Sequence, residues 1–326
     1  MRYAFHLVDV FTDRPLAGNQ LAVVLDADGL ETDRMQAIAR EFNFSETTFV
    51  TAPTAEGCDW RVRIFTPLVE LPMAGHPTIG TAVVLEALGR ASERTVFELG
   101  VGPTPVRVRA GWAEMEQQPP AFGMQHPDPA ALAAALSIEA EEITGTGLPV
   151  QSVSTGLAHL MVPVRSLAGV RRLHPDPDAL GAALALFPGA AAYCFSREVE
   201  HPGLDAHCRM FAPHLGTAED PATGSAAGPL ACYLAVHTEG EGLRRFRFEQ
   251  GIEMGRPSLL EASVEQRGGT ITAVTVAGEA RRLAEGWLTL DKTLPREVGG
   301  VPGEAGGGGP REVGGVPGEA GGGGDR

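Results

Sequence analysis

Cysteine is scarce in this 326-residue sequence: Cys58, Cys194, Cys208 and Cys232 are the four, and no C-x-x-C spacing occurs. That excludes a zinc ribbon and a thioredoxin-like redox pair, and so few thiols suit a reducing compartment. Positive charge is also short, with 26 Lys and Arg against 41 Asp and Glu and a formal net charge of -15. Nucleic acid and anionic membrane surfaces both require clustered Lys and Arg, so neither is expected as a partner. The acidity does not point to a cationic substrate, because net charge also serves solubility. No run approaches the length of a transmembrane helix, and residues 1–10 alternate like a strand instead of forming a signal peptide. A cytoplasmic protein is the expectation. No G-x-G-x-x-G fingerprint or P-loop is present, so neither NAD nor ATP is implied, and no G-x-S-x-G elbow occurs.

What is present is a body of short strands around a few apolar helices, followed by a tail. Residues 295–309 recur unchanged as 310–324. Gly-, Pro- and Glu-rich sequence with no apolar face cannot offset its ordering entropy, so 295–326 is expected to be a disordered, duplicated tail. In the body, 5–11, 21–25, 48–51 and 60–66 read as strands separated by Gly, Asp and Pro. Between them Met35, Ile38, Ala39 and Phe42 fall at i, i+3, i+4 and i+7, which predicts a helix capped by Thr32 or Asp33. A second helix is predicted to begin after His76, with Pro77 in its first position and Gly89 just past its end. Ile79, Ala82, Val83, Val84, Leu85, Ala87 and Leu88 surround it, and a helix apolar nearly all round must be buried on every side.

The second half repeats the plan. Residues 63–67 (RIFTP) have a counterpart in 209–213 (RMFAP), and each leads through a polar loop to a Gly-polar pair, Gly75-His76 or Gly224-Ser225. A mostly apolar helix follows each pair, the second over about 226–237 with Pro229 in its first turn. The fold class expected is therefore α+β: two pseudo-repeated β-rich domains, each around one buried helix. The domains are placed at 1–118 and 119–294, with 283–294 a candidate to return to the first.

Five segments, in order, carry a resemblance: FTDRPLAGN (11–19), NFSET (43–47), MAGHPTIG (73–80), EDPATGSAA (219–227) and EQGIEMGRP (249–257). Together they resemble the PhzF, phenazine-biosynthesis-like, family within the diaminopimelate-epimerase-like fold, across about residues 1–294. The resemblance implies two antiparallel barrels of like topology, a site in the cleft between them, a homodimer and no cofactor. It implies a small carboxylate as substrate, the namesake reaction being isomerisation of a dihydro-hydroxyanthranilate. Related epimerases use two cysteines as acid and base; the positions here that match them are Ala74 and Thr223, so two-thiol chemistry is not available.

A proton-shifting isomerase needs a group that takes a proton from carbon and returns it elsewhere, with a pKa near the working pH. A carboxylate sunk among apolar side chains meets that need, and Glu46 lies between Phe42, Phe44 and Phe49 in sequence. Glu46, His76 and Asp220 are the catalytic candidates, with Asp220 expected to orient His76 or to accept from the substrate. His76 and Ser225 sit at predicted helix starts, where backbone N–H groups and the helix dipole suit a carboxylate. Ser45, Asn19, Gly75, Gly224 and Ser225 are the substrate-binding candidates. His201, Asp205, His207, Cys208 and His214 fit no recognised zinc spacing, so no metal is expected. Two other readings of the same residues stand beside the isomerase. One is an epimerase or racemase with a second acid/base opposite Glu46; the other is a small-acid binding protein without turnover.

Overall fold

The computed structural model describes residues 1–291; the duplicated segment at 295–324 lies outside them. The first 116 residues form strands β1 (Arg2–Val10), β2 (Asn19–Val24), β3 (Glu46–Thr51), β4 (Trp60–Phe65), β5 (Glu70–Leu71), β6 (Arg94–Leu99), β7 (Gly102–Arg109) and β8 (Trp112–Glu116). Two helices interrupt them, α1 (Thr32–Phe42) and α2 (Gly75–Ala87). Next come β9 (Ala121–Gln125), α3 (Pro129–Ala135), α4 (Ala140–Thr144), β10 (Gln151–Ser154), β11 (Ala158–Pro163), α5 (Leu167–Arg172) and α6 (Pro177–Leu184). The rest is β12 (Ala191–Ser196), β13 (Ala206–Ala212), β14 (Thr217–Asp220), α7 (Gly224–His237), β15 (Gly242–Gln250), β16 (Ser258–Arg267) and β17 (Thr270–Thr289).

Following the pairings from β1 through β2, β3, β4, β6, β7, β8 and β17 leads back to β1, so these strands close into a barrel. Alternation drives it: in β7, Thr104, Val106 and Val108 point inward while Pro103, Pro105, Arg107 and Arg109 are exposed. A second run of pairings joins β9, β10, β11, β12, β13, β15, β16 and β17. Neither run is purely antiparallel, which corrects the antiparallel barrels expected from sequence. β2–β3, β4–β6, β11–β12 and β13–β15 are parallel. Each of these pairs brackets a helical crossover, because parallel neighbours need a connection long enough to return to the same end.

β17 belongs to both runs. Its first residues pair with β16, Thr275 to Glu279 with β8, and Ala280 to Thr289 with β1. The segment from 283, the candidate to return to the first domain, thus enters it as the end of one 20-residue strand.

α2 is buried from Gly75 to Leu85 and packs on β1, β2, β3, β7, β8 and β17. α7 packs on β10, β11, β15, β16 and β17. Ile79, Val83, Leu230, Tyr233 and Val264 belong to one core that contains both helices. α1, apolar on one side only, covers the outside of β3 and β4 through Met35, Ile38, Phe49 and Phe65. α3 to α6 cover β11 and β12 over Leu160, Val162 and Ala192. Both central helices start earlier than the sequence suggests, α2 at Gly75 and α7 at Gly224. Pro229 therefore lies inside α7, past its first turn, and leaves Ser225's carbonyl without the usual i→i−4 donor. Among the described residues no helix is long and apolar enough to cross a membrane.

Candidate active site

Three local devices deliver the key side chains to one place. Asn43 ends α1 in the left-handed region, with φ 52°, and its N–H caps the helix on Ala39's carbonyl. That reversal sends the chain through Ser45 directly into β3, whose first residue is Glu46. Gly18, at φ +67°, precedes Asn19; a Cβ there would stand 2.3 Å from Val10's carbonyl oxygen. The third device is the meeting of two helix starts. A Cβ on Gly75 would lie 2.8 Å from Gly224's carbonyl carbon and 3.0 Å from Ser225's amide nitrogen. Only glycine permits that approach, and it aims the positive ends of α2 and α7 at the same point. Neither N-cap residue, Ala74 or Thr223, caps its helix with a side chain.

Glu46 Oε2 lies 3.2 Å from His76 Nε2. This is not an ion pair. Burial lowers His76 to about 3, against the upward pull of its ring hydrogen bond to Gln20's backbone. Because Nε2 has no hydrogen-bond partner, that bond belongs to Nδ1, and Nε2 faces Glu46 as a bare acceptor. Burial drives Glu46's carboxyl well above the usual range, and the negative Asp220 adds to the effect. Glu46 Oε2 is likewise buried and unpartnered. One proton on Glu46 would satisfy both atoms.

Asp220, at the end of β14, is the other anchor. Its carboxylate accepts from Thr223 Oγ1 at 2.6 Å, Asn19 Nδ2 at 2.9 Å and Ser45 Oγ at 3.2 Å. Burial nonetheless raises it to about 6, with those donors pulling the other way. The expected direct pairing of Asp220 with His76 is replaced by an intermediary. Asn19 spends its two amide hydrogens on Asp220 and on Ala222's carbonyl, both at 2.9 Å, and rests its nitrogen 3.4 Å from His76 Nδ1.

Glu46, His76, Asp220, Ser45 and Asn19 thus form one connected group, and Gly75, Gly224 and Ser225 form the adjoining helix junction. Sequence reasoning missed the supports behind them. Gln250, fully buried, donates to Asp220's carbonyl at 2.7 Å and to Thr223 Oγ1 at 3.0 Å. Its carbonyl oxygen accepts from Tyr193's hydroxyl at 3.0 Å and Thr223's amide at 3.1 Å, so all four of these partners are met. With Gln250 donating to it, Thr223's own hydroxyl proton is left for Asp220. Gln250 does stand in a motif, whereas Tyr193 gave no signal. His159, on β11, lies with Nε2 3.0 Å from Ser225 Oγ. Gln117 donates to Gly224's carbonyl at 3.3 Å.

Two histidines of the histidine-rich cluster sit in an acid–base clamp. His207 is held between Glu249 and Glu253, 2.9 Å from each, and His201 meets Glu249 at 2.7 Å. Among the described residues no group of three or more His, Cys, Asp or Glu could hold a metal ion. Two surface grooves, of about 1070 and 400 Å³, are lined by residues other than the Glu46 group.

Comparison with known proteins bears on this arrangement. Residues 8–286 match the profile of the phenazine biosynthesis-like protein family, PhzC-PhzF. The chain is 39% identical over 288 residues to a trans-2,3-dihydro-3-hydroxyanthranilate isomerase of Pseudomonas aeruginosa, covering 87% of this chain and 98% of that one. A PhzF-family crystal structure from Bacillus anthracis superposes with a TM-score of 0.82 at 28% identity, covering 89% of this chain and 100% of the other. A predicted epimerase from Pseudomonas aeruginosa gives a TM-score of 0.75 at 35% identity, again covering 89% of this chain and 100% of that one.

Proposed function

The chain belongs to the phenazine biosynthesis-like, PhzF, family, and from that premise we propose that it is a cofactor-independent isomerase of a small carboxylic acid with Glu46 as general acid/base. The substrate class we infer is trans-2,3-dihydro-3-hydroxyanthranilate or a near analogue. The observation that carries the reading is the buried, unpartnered Glu46 Oε2 standing 3.2 Å from a neutral His76. A carboxyl whose pKa is lifted by burial is a weak enough acid to keep a proton and a strong enough base to take one near neutral pH.

In this reading Glu46 takes a proton from one carbon as that C–H bond breaks, and returns it to another carbon as a new C–H bond forms. The electron pair moves through the substrate's double bonds, so the enzyme ends unchanged. Neutral His76 accepts from the protonated Glu46 while it waits, and Asp220 with Asn19 and Ser45 offers polar contacts to the substrate's hydroxyl or amine. The paired helix starts and Ser225 receive the substrate carboxylate. Two pseudo-repeated domains, divided near 118 and with the end of β17 from residue 283 returning to the first, would place this site in the cleft between them; a homodimer and a cytoplasmic location belong to the same proposal.

The test is turnover of trans-2,3-dihydro-3-hydroxyanthranilate in deuterated water by the wild type and by Glu46→Gln, following absorbance and deuterium uptake. The expected result is wild-type isomerisation and a loss of about 10²–10⁴ in kcat for a well-folded variant. An inactive wild type removes this substrate. A Glu46→Gln enzyme that turns over normally removes Glu46.

A further inference from the structure

His159 takes no part in the chemistry above, yet it occupies a costly position. It is the second residue of β11, 5% exposed, and its neighbours Leu160, Met161 and Val162 are fully buried apolar side chains. Its Nδ1 is buried with no hydrogen-bond partner. A leucine would fill the same space without an orphan nitrogen, so packing alone does not account for an imidazole. What the imidazole supplies is Nε2, 3.0 Å from the hydroxyl of Ser225.

The surroundings locate the proton. Burial lowers His159 to about 4, so the ring is neutral and carries a single N–H. Placed on Nδ1, that hydrogen would point at no acceptor, and buried N–H groups without partners are rarer than unfilled acceptors. Placed on Nε2, it donates to Ser225 Oγ. A hydroxyl that accepts in this way has its own proton free to donate elsewhere. Ser225 is the second residue of α7, and its amide nitrogen would stand 3.0 Å from a Cβ on Gly75. The freed hydroxyl proton is therefore carried by a residue that stands where the two helix starts meet.

We propose that His159 is a positioning residue that holds the Ser225 hydroxyl as a donor to the substrate's carboxylate. It works through Ser225 and does not itself exchange protons with the substrate. This deepens the carboxylate-binding half of the proposed function and rests on it.

The test uses the aromatic analogue 3-hydroxyanthranilate, which keeps the carboxylate, amine and hydroxyl but cannot be isomerised. Its affinity is measured by calorimetry for the wild type, His159→Leu, His159→Gln, Ser225→Ala and the His159→Leu/Ser225→Ala double variant. Kinetics with the dihydro acid run alongside. Expected is a roughly tenfold or greater loss of affinity in His159→Leu, carried by KM rather than kcat, as for one hydrogen bond feeding a charged ligand. Gln, whose amide N–H stands near the place of Nε2, restores part of it. In the Ser225→Ala background, loss of His159 costs nothing more, and the 3-hydroxyanthranilate carboxamide, whose carbonyl still accepts but carries no charge, separates wild type from His159→Leu by less than the acid does. Losses that add in the double variant, or that are equal for acid and carboxamide, reduce His159 to a packing residue. If His159 behaves as expected toward 3-hydroxyanthranilate while the wild type leaves the dihydro acid unchanged, the reaction assignment falls and the positioning role stands.

Discussion

The starts of α2 and α7 are built alike and do different work. Each opens with a glycine that admits the other helix, each comes after an N-cap residue that does not cap, and each carries a polar residue in second place. At α2 that residue is His76, which confronts an ionisable group, Glu46, whose pKa is raised by burial. At α7 it is Ser225, backed by a histidine that burial keeps neutral. In the proposed function, one backbone device, a buried helix start, is thus paired on one side with a proton-transferring carboxyl and on the other with a hydroxyl donor. The residue after each glycine and the group behind that residue decide the chemistry; the helix dipole alone does not.

The sharpest way to separate the two sides is to remove one function from each. Glu46→Gln should lower kcat by about 10²–10⁴ and leave affinity for 3-hydroxyanthranilate close to wild type, whereas Ser225→Ala should act chiefly on KM. Steady-state kinetics and calorimetry on the same preparations check this, and a Glu46 variant that loses affinity but not turnover would reverse the assignment. Next in size is the shared point. Gly75→Ala forces a methyl against Gly224's backbone at 2.8 Å, with no flexible side chain there to move aside. A loss of about 1–3 kcal/mol in denaturant unfolding is expected, typical of overpacking, together with loss on both sides of the site.

A subtler test reaches the α2 side through Asp220. Its negative charge disfavours ionised Glu46, so Asp220→Asn should let Glu46 ionise at lower pH and move that limb of the pH–rate profile of kcat/KM in the acid direction. A limb that stays in place, or moves up, would mean that Glu46 does not feel Asp220. The smallest effect compares the two imidazoles. A histidine with a lowered folded pKa contributes stability that is complete above its unfolded value, near 6.5, and is lost as pH falls through the folded value. The stability difference between wild type and His159→Gln should therefore shrink below pH 6.5 and level off near 4, while that for His76→Gln keeps falling toward 3. Unfolding curves at stepped pH would resolve the two, and parallel curves would count against the difference in burial.

The sequence made some of this plain and hid the rest, for physical reasons. α2 was readable because an all-round apolar helix has one place to go. Glu46, His76, Asn19, Asp220 and Ser225 stood out through motif runs far apart in the chain, and they do gather. His159 could not be seen: a lone histidine in an apolar strand reads as core, and its partner is 66 residues away. The parallel pairs were missed because alternation reports which face is buried and says nothing of strand direction. β17 was underestimated because its stretch GEARRLAE (278–285) is charged and half exposed, which a period-two pattern does not capture. α7's start was placed two residues late, since nothing local signals that Gln250 pins Thr223 just ahead of it.

β17 also sets a timetable for the nascent chain. Seven of the eight strands that enclose α2 are made within the first 116 residues, but the gap between β8 and β1 is filled by Thr275 to Thr289, and Met1's amino group meets Leu290's carbonyl at 2.6 Å. At a synthesis rate of about 5–20 residues per second, the earliest barrel waits on the order of ten seconds or more for its closing strand. Through that interval α2, apolar on every side, has an incomplete wall, and the unpaired edges of β1 and β8 are templates for the wrong neighbour. The first compartment to be synthesised is the last to be sealed, which makes the interval before β17 arrives the period of greatest exposure to aggregation.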